Sequence, residues 1–112
     1  MDKFSALADP NRRKIIELLS TKGQLSASEI YEHFQVSPQA ISQHLKALRE
    51  AKLVEVEKRA QQRIYRVNPE AMLDLESWAR KMRQLWTERF DALEKVLEAE
   101  KNRLKEETNE QE

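Results

Sequence analysis

The sequence contains no cysteine, only one glycine and no long apolar run among its 112 residues. The absence of cysteine excludes disulfides, thiolate metal sites and cysteine nucleophiles. No apolar segment approaches the ~18 residues that a membrane-spanning helix needs, and no signal peptide is recognisable, so we expect a soluble, cytoplasmic protein that does not associate with membranes. There is no glycine-rich phosphate loop and no nucleophile–base pair, so we expect neither an enzyme nor a bound cofactor.

The formal net charge is zero, but the charge is unevenly distributed. Residues 1–69 contain 12 Lys and Arg against 8 Asp and Glu, whereas residues 70–112 contain 8 against 12. A basic part followed by an acidic part is typical of a nucleic-acid-binding region with an acidic extension, although chance scatter of solvated charge gives the same totals. The positions of the charges have to decide between the two.

The three prolines predict three helix starts. Each follows a residue that accepts hydrogen bonds well at a helix N-terminus, in Asp9-Pro10, Ser37-Pro38 and Asn68-Pro69. Proline suits the first turn because its missing N–H has no partner there, and it keeps the residue before it out of helical geometry. The first of these helices should end near Gly23, at the position where a left-handed residue is favoured. A short helix with Phe4 and Leu7 in its apolar stripe precedes it.

A helix-turn-helix is predicted between Ser26 and Ala51. Ser26 and Glu29 form a capping box that opens a short helix, and residues 35–37 make a three-residue turn into a recognition helix over 38–51. The apolar positions expected in its core are Ile30, Phe34, Val36, Ile41, Leu45 and Leu48.

After the recognition helix, alternating residues predict a β-hairpin, or wing, over 54–67, with its loop at residues 59–62. One long helix follows from Pro69, and beyond Leu97 its apolar stripe fades into a frayed or disordered acidic tail. The prediction is therefore a mostly α-helical, winged helix-turn-helix fold with a small β-hairpin, in the order α-α-α-α-β-β-α. Its domains are a DNA-binding domain at 1–68 and a long C-terminal dimerisation helix at 69–112.

The outward face of the recognition helix suits double-stranded DNA. Gln39, Ser42 and Gln43 can hydrogen-bond to base edges, and the later Lys46 and Arg49 can reach phosphates. The wing adds cations, and Ser26 and Ser28, with the free amides of their helix start, could hold a phosphate. The full set of predicted DNA contacts is Ser26, Ser28, Ser37, Gln39, Ser42, Gln43, His44, Lys46, Arg49, Arg59, Gln61, Gln62 and Arg63.

Several of these positions have ordinary alternatives. The polar helix face is also compatible with plain solvation, and Arg66 beside the wing is equally compatible with a structural role. His44 is interpreted as a phosphate or base contact or as a packed residue, with no acid placed to orient it for catalysis.

The last helix carries an apolar stripe too wide for one small domain to cover, which predicts a homodimer. Its members are Met72, Leu75, Ala79, Met82, Trp86 and Leu93, widened by Trp78, Leu85 and Phe90. The two tryptophans could form an aromatic effector pocket, but their spacing favours a dimer core.

Two segments resemble the ArsR family of bacterial winged-helix repressors. They are residues 7–19 (LADPNRRKIIELL) and residues 37–48 (SPQAISQHLKAL), the latter followed by Leu53-Val54. The stretch from Trp78 to Glu94 is similar to a subgroup with a long C-terminal helix. The resemblance implies a homodimer in which Phe4 and Leu7 of the first helix join the last helix at the interface. It also implies repression of a nearby promoter, often the regulator's own.

The sequence departs from the family in its metal ligands and glycines. The Cys-x-Cys of metal-sensing members is absent from residues 28–34, and His33 and His44 are the only histidines, so no metal site is expected. Lys52 stands where the family has a glycine, and a left-handed lysine there would cost up to ~1 kcal/mol. The wing tip also lacks glycine, which leaves its turn type open.

A rival interpretation is a protein-interaction module in which the winged domain and the acidic helix are a scaffold. The operator sequence, and any effector ligand or partner protein that would release DNA, stay open.

Overall fold

The computed structural model describes residues 1–110, so the part of the tail prediction that falls on residues 111–112 lies outside the described residues. The elements are α1 (Lys3–Ala6), α2 (Pro10–Lys22), β1 (Leu25–Ser26), α3 (Ala27–Glu32), α4 (Pro38–Glu50), β2 (Val54–Arg59), β3 (Gln62–Val67) and α5 (Pro69–Glu110). They fall into two compact units, Met1–Leu75 and a second that begins at Glu76. We describe each unit by itself.

The three predicted proline starts are confirmed at α2, α4 and α5. The Asp9 carboxylate accepts hydrogen bonds from the two amides that follow Pro10, at 2.8 and 3.2 Å. The Ser37 hydroxyl accepts from the third helical amide of α4 at 3.2 Å, and the Asn68 side chain accepts from the second of α5 at 3.1 Å. Local residue chemistry therefore sets these boundaries.

The sheet has three strands rather than the predicted two. The two-residue strand β1 pairs antiparallel with β3, with Leu25 opposite Tyr65 and Ser26 opposite Ile64, and the strand order is β1-β3-β2. A strand of two residues has no periodicity to detect. The observed order is therefore α-α-β-α-α-β-β-α.

The turn of the helix-turn-helix is longer than predicted. Helix α3 ends at Glu32, and the amides of His33 and Phe34 close it with hydrogen bonds to the carbonyls three residues back. Phe34 is partly buried against the core, whereas Val36 is 41% exposed in the connection. The prediction that Val36 is buried is wrong, because the helix stops too early to carry it inward.

The core of the first unit, Met1–Leu75, contains one to three side chains from most of its helices and strands. The largest fully buried side chains are Ile15, Leu19, Ile30, Ile41, Leu45, Leu48 and Leu53. The predicted inward face of α4 is confirmed, since all three of its predicted apolar residues are buried. This packing leaves the opposite face of α4 in solvent.

Lys52 is left-handed, with φ of 62°, as its position after α4 suggested. The Lys52 amide donates to the Arg49 carbonyl and the Leu53 amide to the Leu48 carbonyl, which is the Schellman arrangement. The Asn68 side chain also donates to the Lys52 carbonyl at 2.9 Å. These bonds hold a lysine in a conformation that glycine adopts at lower cost.

The wing turn contains Ala60 and Gln61, because Arg59 pairs directly with Gln62. Ala60 has φ of 52°, and Gln61 is not in the left-handed region. A positive φ at the first central position alone is the pattern of a type II′ hairpin turn. The turn thus places an alanine with positive φ at a position where glycine is usual.

The second unit continues α5 as helix to Glu110, so of the two alternatives for the segment after Leu97, a fraying helix or disorder, the described residues are helical. Arg80 pairs with Glu76, and Arg103 pairs with both Glu100 and Glu107 at 2.6 Å. Pairs at these spacings support an exposed helix where the apolar stripe has ended. No helix in the described part of the chain combines the length and apolar character needed to cross a bilayer.

Candidate nucleic-acid interface

The outer face of α4 is polar and open to solvent along its whole length. All five outward residues predicted to contact DNA are exposed, namely Gln39, Ser42, Gln43, Lys46 and Arg49. The amide and hydroxyl side chains lie in the first two turns and the cations in the last two. A helix of this size with short polar side chains at its start fits the B-DNA major groove.

Tyr31 lies next to this outer face of α4, and sequence reasoning missed it as a candidate site residue. It lines one shallow depression together with Gln39, Ser42 and Gln43. In the sequence it counted only as an apolar member of the short helix, and it is indeed partly packed against the core. Its phenol offers one hydrogen-bonding group at the edge of the reading face.

His44 does not belong to the outer face. Its Nδ1 accepts a hydrogen bond from Arg12 Nε at 3.1 Å, and its Nε2 lies 4.0 Å from the Asp9 carboxylate. Only 17% of its side chain is exposed. Of the two interpretations of His44, this geometry fits the packed residue, and the acid that sequence reasoning did not place beside it is Asp9. His44 ties α4 to the start of α2.

Asp9 stays ionised in this cluster. Desolvation acts to raise the pKa of its carboxyl, but hydrogen bonds from the Arg12 and Asn11 amides outweigh that effect. The pKa consequently lies below its ordinary value. The negative charge caps α2 and faces the His44 ring, so the orientation of α4 rests partly on a polar network.

The helix start predicted to hold a phosphate, at α3, differs from the start of α4. At α3, the Ser26 hydroxyl accepts from the Glu29 amide, while the Glu29 carboxylate accepts from the Ser26 amide at 3.0 Å. This backbone hydrogen bond is the main cause that lowers the pKa of Glu29, so a negative charge already occupies the site. Ser26 is also only 3% exposed, and its hydroxyl is engaged in the helix cap.

Ser28 is exposed on α3, next to Glu29. Helix α4 begins differently, because its first turn carries no acidic residue and Ser37 is exposed. An uncompensated helix N-terminus attracts anions through its free amides and its dipole. Of the two starts, only α4 has no acidic residue in its first turn.

The wing places two cations directly opposite each other. Lys58 pairs with Arg63 across the strands, on the face that carries the buried Val54 and Tyr65 further from the tip. Like charges in this position destabilise a hairpin. Neither residue forms an ion pair within the part of the chain that the structure describes. A bound polyanion would relieve their repulsion.

The other face of the wing is neutralised internally. Arg59 donates to Glu57 at 3.1 Å, and Arg66 donates to Glu55 at 2.9 Å and to Glu57 at 3.4 Å. The Arg59 hydrogen bond is the main cause that lowers the pKa of Glu57. Arg66 is thus structural, which was one of its two interpretations. Arg59 forms an ion pair with an acid, whereas Lys58 and Arg63 form none among the described residues.

The residues predicted for the dimer interface are divided between the two units. Phe4 is 48% exposed, whereas Leu7, Met72 and Leu75 pack partly against the core of their own unit. In the second unit, Met82 is half-buried, and Ala79, Trp86 and Leu93 are exposed. No group of three or more His, Asp or Glu side chains that could hold a metal occurs among the described residues.

Comparisons with known proteins agree with this geometry. A model of a helix-turn-helix domain matches residues 7–57. The chain is similar to the transcriptional repressor SdpR of Bacillus subtilis (strain 168), with 37% identity over 75 residues that cover 67% of this chain and 82% of that protein. It is similar to the arsenical resistance operon repressor of Staphylococcus xylosus, with 41% identity over 67 residues, or 60% of this chain and 64% of that protein.

Among solved structures, the chain is similar to an ArsR-like transcriptional regulator from Rhodococcus sp. RHA1. The TM-score is 0.73 with 30% sequence identity, and the match covers 83% of this chain and 87% of that chain.

Proposed function

The chain belongs to the ArsR family of winged helix-turn-helix transcriptional regulators, and we propose that it is a homodimeric repressor that binds an inverted-repeat operator. The promoter of its own gene is the first target to examine. Two-fold symmetry would place the two recognition helices on half-sites about 34 Å apart, or a multiple of that distance.

The distribution of polar groups on α4 is the observation that carries the proposal. Gln39, Ser42 and Gln43 present hydrogen-bonding groups without charge, so they suit base edges rather than phosphates. Lys46 and Arg49 follow on the same face and are placed for the backbone. One helix therefore combines sequence reading with positioning.

The wing is assigned to phosphate contact. Lys58 and Arg63 repel each other in the free protein, and phosphates would neutralise both. Arg63 thus supplies affinity that is independent of sequence. Arg66, on the same strand but held by Glu55, contributes much less to binding.

The decisive experiment is duplex binding followed by fluorescence anisotropy over a range of salt concentrations. Selection from genomic fragments with the purified protein supplies the operator, read for an inverted repeat, and a scrambled duplex of the same composition is the control. We expect the affinity for both duplexes to fall steeply with salt, because phosphate contacts release counterions. The operator should bind at least ~1000-fold more tightly than the scrambled duplex.

Arg63→Ala and Arg66→Ala form a matched pair on one strand. Arg63→Ala should weaken binding to operator and scrambled duplex alike and reduce the salt slope by about one. Arg66→Ala should leave the slope nearly unchanged. Equal effects of the two variants would contradict the assignment of the wing. Absent or salt-insensitive binding would instead favour the alternative of a protein-interaction scaffold.

A further inference from the structure

Tyr31 combines an anchored ring with an exposed hydroxyl. It lies in the last turn of α3, directly after the fully buried Ile30, and its ring packs partly against the core. Its hydroxyl forms no hydrogen bond within residues 1–110, and no polar side-chain atom of those residues is both buried and without a partner, so the hydroxyl reaches solvent. A held ring that presents an unpaired donor loses little conformational entropy when it binds a ligand.

Tyr31 shares its surroundings with other unpaired polar side chains. It lines a shallow depression at the start of α4 together with Pro38, Gln39, Ser42 and Gln43. None of the three polar side chains from α4 forms a hydrogen bond within the described part of the chain, whereas the cap hydroxyls of α3 and α4 both accept from backbone amides. Four hydrogen-bonding side chains without a protein partner therefore meet in one place, where they are available to a ligand.

Tyr31 lies beside one flank of the outer face of α4 rather than over its centre. With about 100° of rotation per residue, Pro38 and Ser42 lie on one side of the central line of this face, and Ala40 lies on the other. The depression that Tyr31 lines includes Pro38 and Ser42 but not Ala40. When such a helix enters the major groove, its central side chains face base edges and its flanks face the sugar-phosphate walls. Tyr31 would therefore lie next to a wall of the groove.

Further features of this flank favour a phosphate as the partner of Tyr31. The side chains that line the depression are all uncharged, so no acid among them repels a phosphate. Arg49 is exposed on the same flank of α4, two turns after Ser42, and suits a phosphate as well. In a helix-turn-helix, the helix before the recognition helix crosses the DNA backbone, and in this chain that helix is α3, which carries Tyr31.

We propose that the Tyr31 hydroxyl donates a hydrogen bond to a DNA phosphate beside the bases that Gln39 and Gln43 contact, and so fixes how deeply α4 enters the groove. This inference rests on the proposed function and deepens it, because it adds a positioning residue from outside the recognition helix. The contact forms only when α4 is fully inserted at its operator. A neutral phenol displaces no counterion from DNA, unlike the cations of the wing, so the Tyr31 contact contributes affinity without salt dependence.

Tyr31→Phe tests the contact, because it removes the hydroxyl and keeps the ring that packs against the core. We expect the dissociation constant of the operator complex to rise about tenfold, as for the loss of a hydrogen bond to a charged group, and that of the scrambled duplex to rise less than about threefold. Operator affinity should keep its salt slope, whereas Arg63→Ala lowers that slope by about one. Fluorescence anisotropy over a range of salt concentrations measures both variants.

Tyr65→Phe is the matched control, because it removes the same atom from the other tyrosine of the chain, which lies on β3 and is 6% exposed. It should leave the affinity for both duplexes unchanged. Urea denaturation should show the same free energy of unfolding for Tyr31→Phe as for the wild type, because the Tyr31 hydroxyl has no partner among the described residues. A loss of DNA binding then cannot come from a loss of folded protein.

Operators with a single methylphosphonate, which replaces one charged phosphate by a neutral group of similar size, locate the contact. In each half-site, one such position should weaken wild-type binding at least about fivefold more than Tyr31→Phe binding, since that variant has already lost the contact. At every other position, the two proteins should lose affinity equally. The sensitive phosphate should flank the base pairs at which Gln43→Ala loses discrimination.

The outcomes separate this inference from the proposed function. Wild-type affinity of Tyr31→Phe for the operator would overturn the inference and leave the proposed function intact. A reduced salt slope, or equal losses on operator and scrambled duplex, would overturn the positioning role in the same way. Loss of discrimination at one base pair with no sensitive phosphate would overturn the phosphate contact in favour of base reading by Tyr31. A wild-type protein that binds both duplexes equally, or neither, would refute the proposed function itself.

Discussion

Residues 1–75 and the helix from Glu76 onward both carry apolar side chains at helical spacing, yet they bury them very differently. Every buried apolar side chain among the described residues lies before residue 76. After it, side chains as large as Trp86 and Phe90 are more than half exposed. The first region buries most of its large apolar side chains in its own core, whereas the second leaves most of its large apolar side chains exposed.

The charges of the two regions differ in the same way. In the wing of the first region, two acids hold Arg59 and Arg66, whereas the cations near the tip, Lys58 and Arg63, form no ion pair among the described residues. In the second, uncompensated charges of both signs border an apolar stripe. Unpaired charges of one sign, here positive, suit binding to a polyanion. Unpaired charges of both signs suit binding to a surface whose charges are complementary to them.

The largest expected difference between the regions is in stability. Leu45→Ala, in the core, should lower the free energy of opening of the α4 amides by about 2–5 kcal/mol. Leu93→Ala, where the side chain is 52% exposed, should change it by less than about 0.5 kcal/mol. Native-state hydrogen exchange resolves the two regions separately. A small effect of Leu45→Ala would mean that the register of α4 is misassigned.

Glutamine truncation should separate the regions by their contact with DNA. Gln43→Ala should reduce the discrimination between operator and scrambled duplex by about 1–3 kcal/mol, since a lost base contact affects the cognate site alone. Gln84→Ala, an equally exposed glutamine on the second region, should not change it. Parallel anisotropy titrations measure both variants. Identical losses on cognate and scrambled DNA would contradict base reading by Gln43.

Lysine-to-glycine substitution should change the free energy of unfolding in opposite directions in the two regions. Lys52→Gly should stabilise the protein by up to about 1 kcal/mol, because Lys52 has a positive φ that glycine adopts freely. Lys95→Gly should destabilise it by about 0.5–1 kcal/mol, because Lys95 is inside a helix. Urea denaturation at one fixed protein concentration compares them. Destabilisation by Lys52→Gly would show that its side chain contributes more than its backbone costs.

The smallest expected effect concerns two carboxyls with lowered pKa values. A backbone amide is the main cause at Glu29, whereas the Arg103 side chain is the main cause at Glu100. Each group therefore stabilises the fold above its ordinary pKa of 4.5, and this contribution is lost as the pH falls through the lower folded-state value. Salt at about 1 M should shift the pKa of Glu100 back toward 4.5 but hardly move that of Glu29.

An NMR titration of both groups at low and high salt measures these shifts. Glu29→Gln keeps the hydrogen bond of the capping box without the charge. It should therefore remove the part of the acid dependence of stability that Glu29 contributes. Equal salt sensitivity of the two pKa values would contradict the assigned causes.

Much of the fold was predictable because its signals are local. An acceptor residue before each proline, the capping box at Ser26 and Glu29, and the single glycine after α2 act within one helical turn. The inward face of α4 follows from spacing alone. The short strand β1 and the exposure of Val36 were missed, because both depend on where distant segments meet.

The candidate site was predictable in outline but not in its individual side chains. Sequence reasoning treated Arg59 and Arg63 alike as DNA contacts and left Arg66 open, and cross-strand register separates all three. It also left His44 open between a DNA contact and a packed residue, and the approach of α2 decides this by turning its ring toward Arg12 and Asp9. Ion pairs and packing between elements are long-range facts that no local pattern contains.

By itself, then, the sequence determined where the helices begin, which face of the recognition helix turns inward, and that basic and acidic parts follow each other, since hydrogen-bond capacity and periodicity act over a few residues. Only the tertiary structure decided which charges are neutralised by ion pairs within the protein. It places Glu57 against Arg59 and Arg66 and leaves Lys58 opposite Arg63. Such partners are brought together only by the pairing of strands.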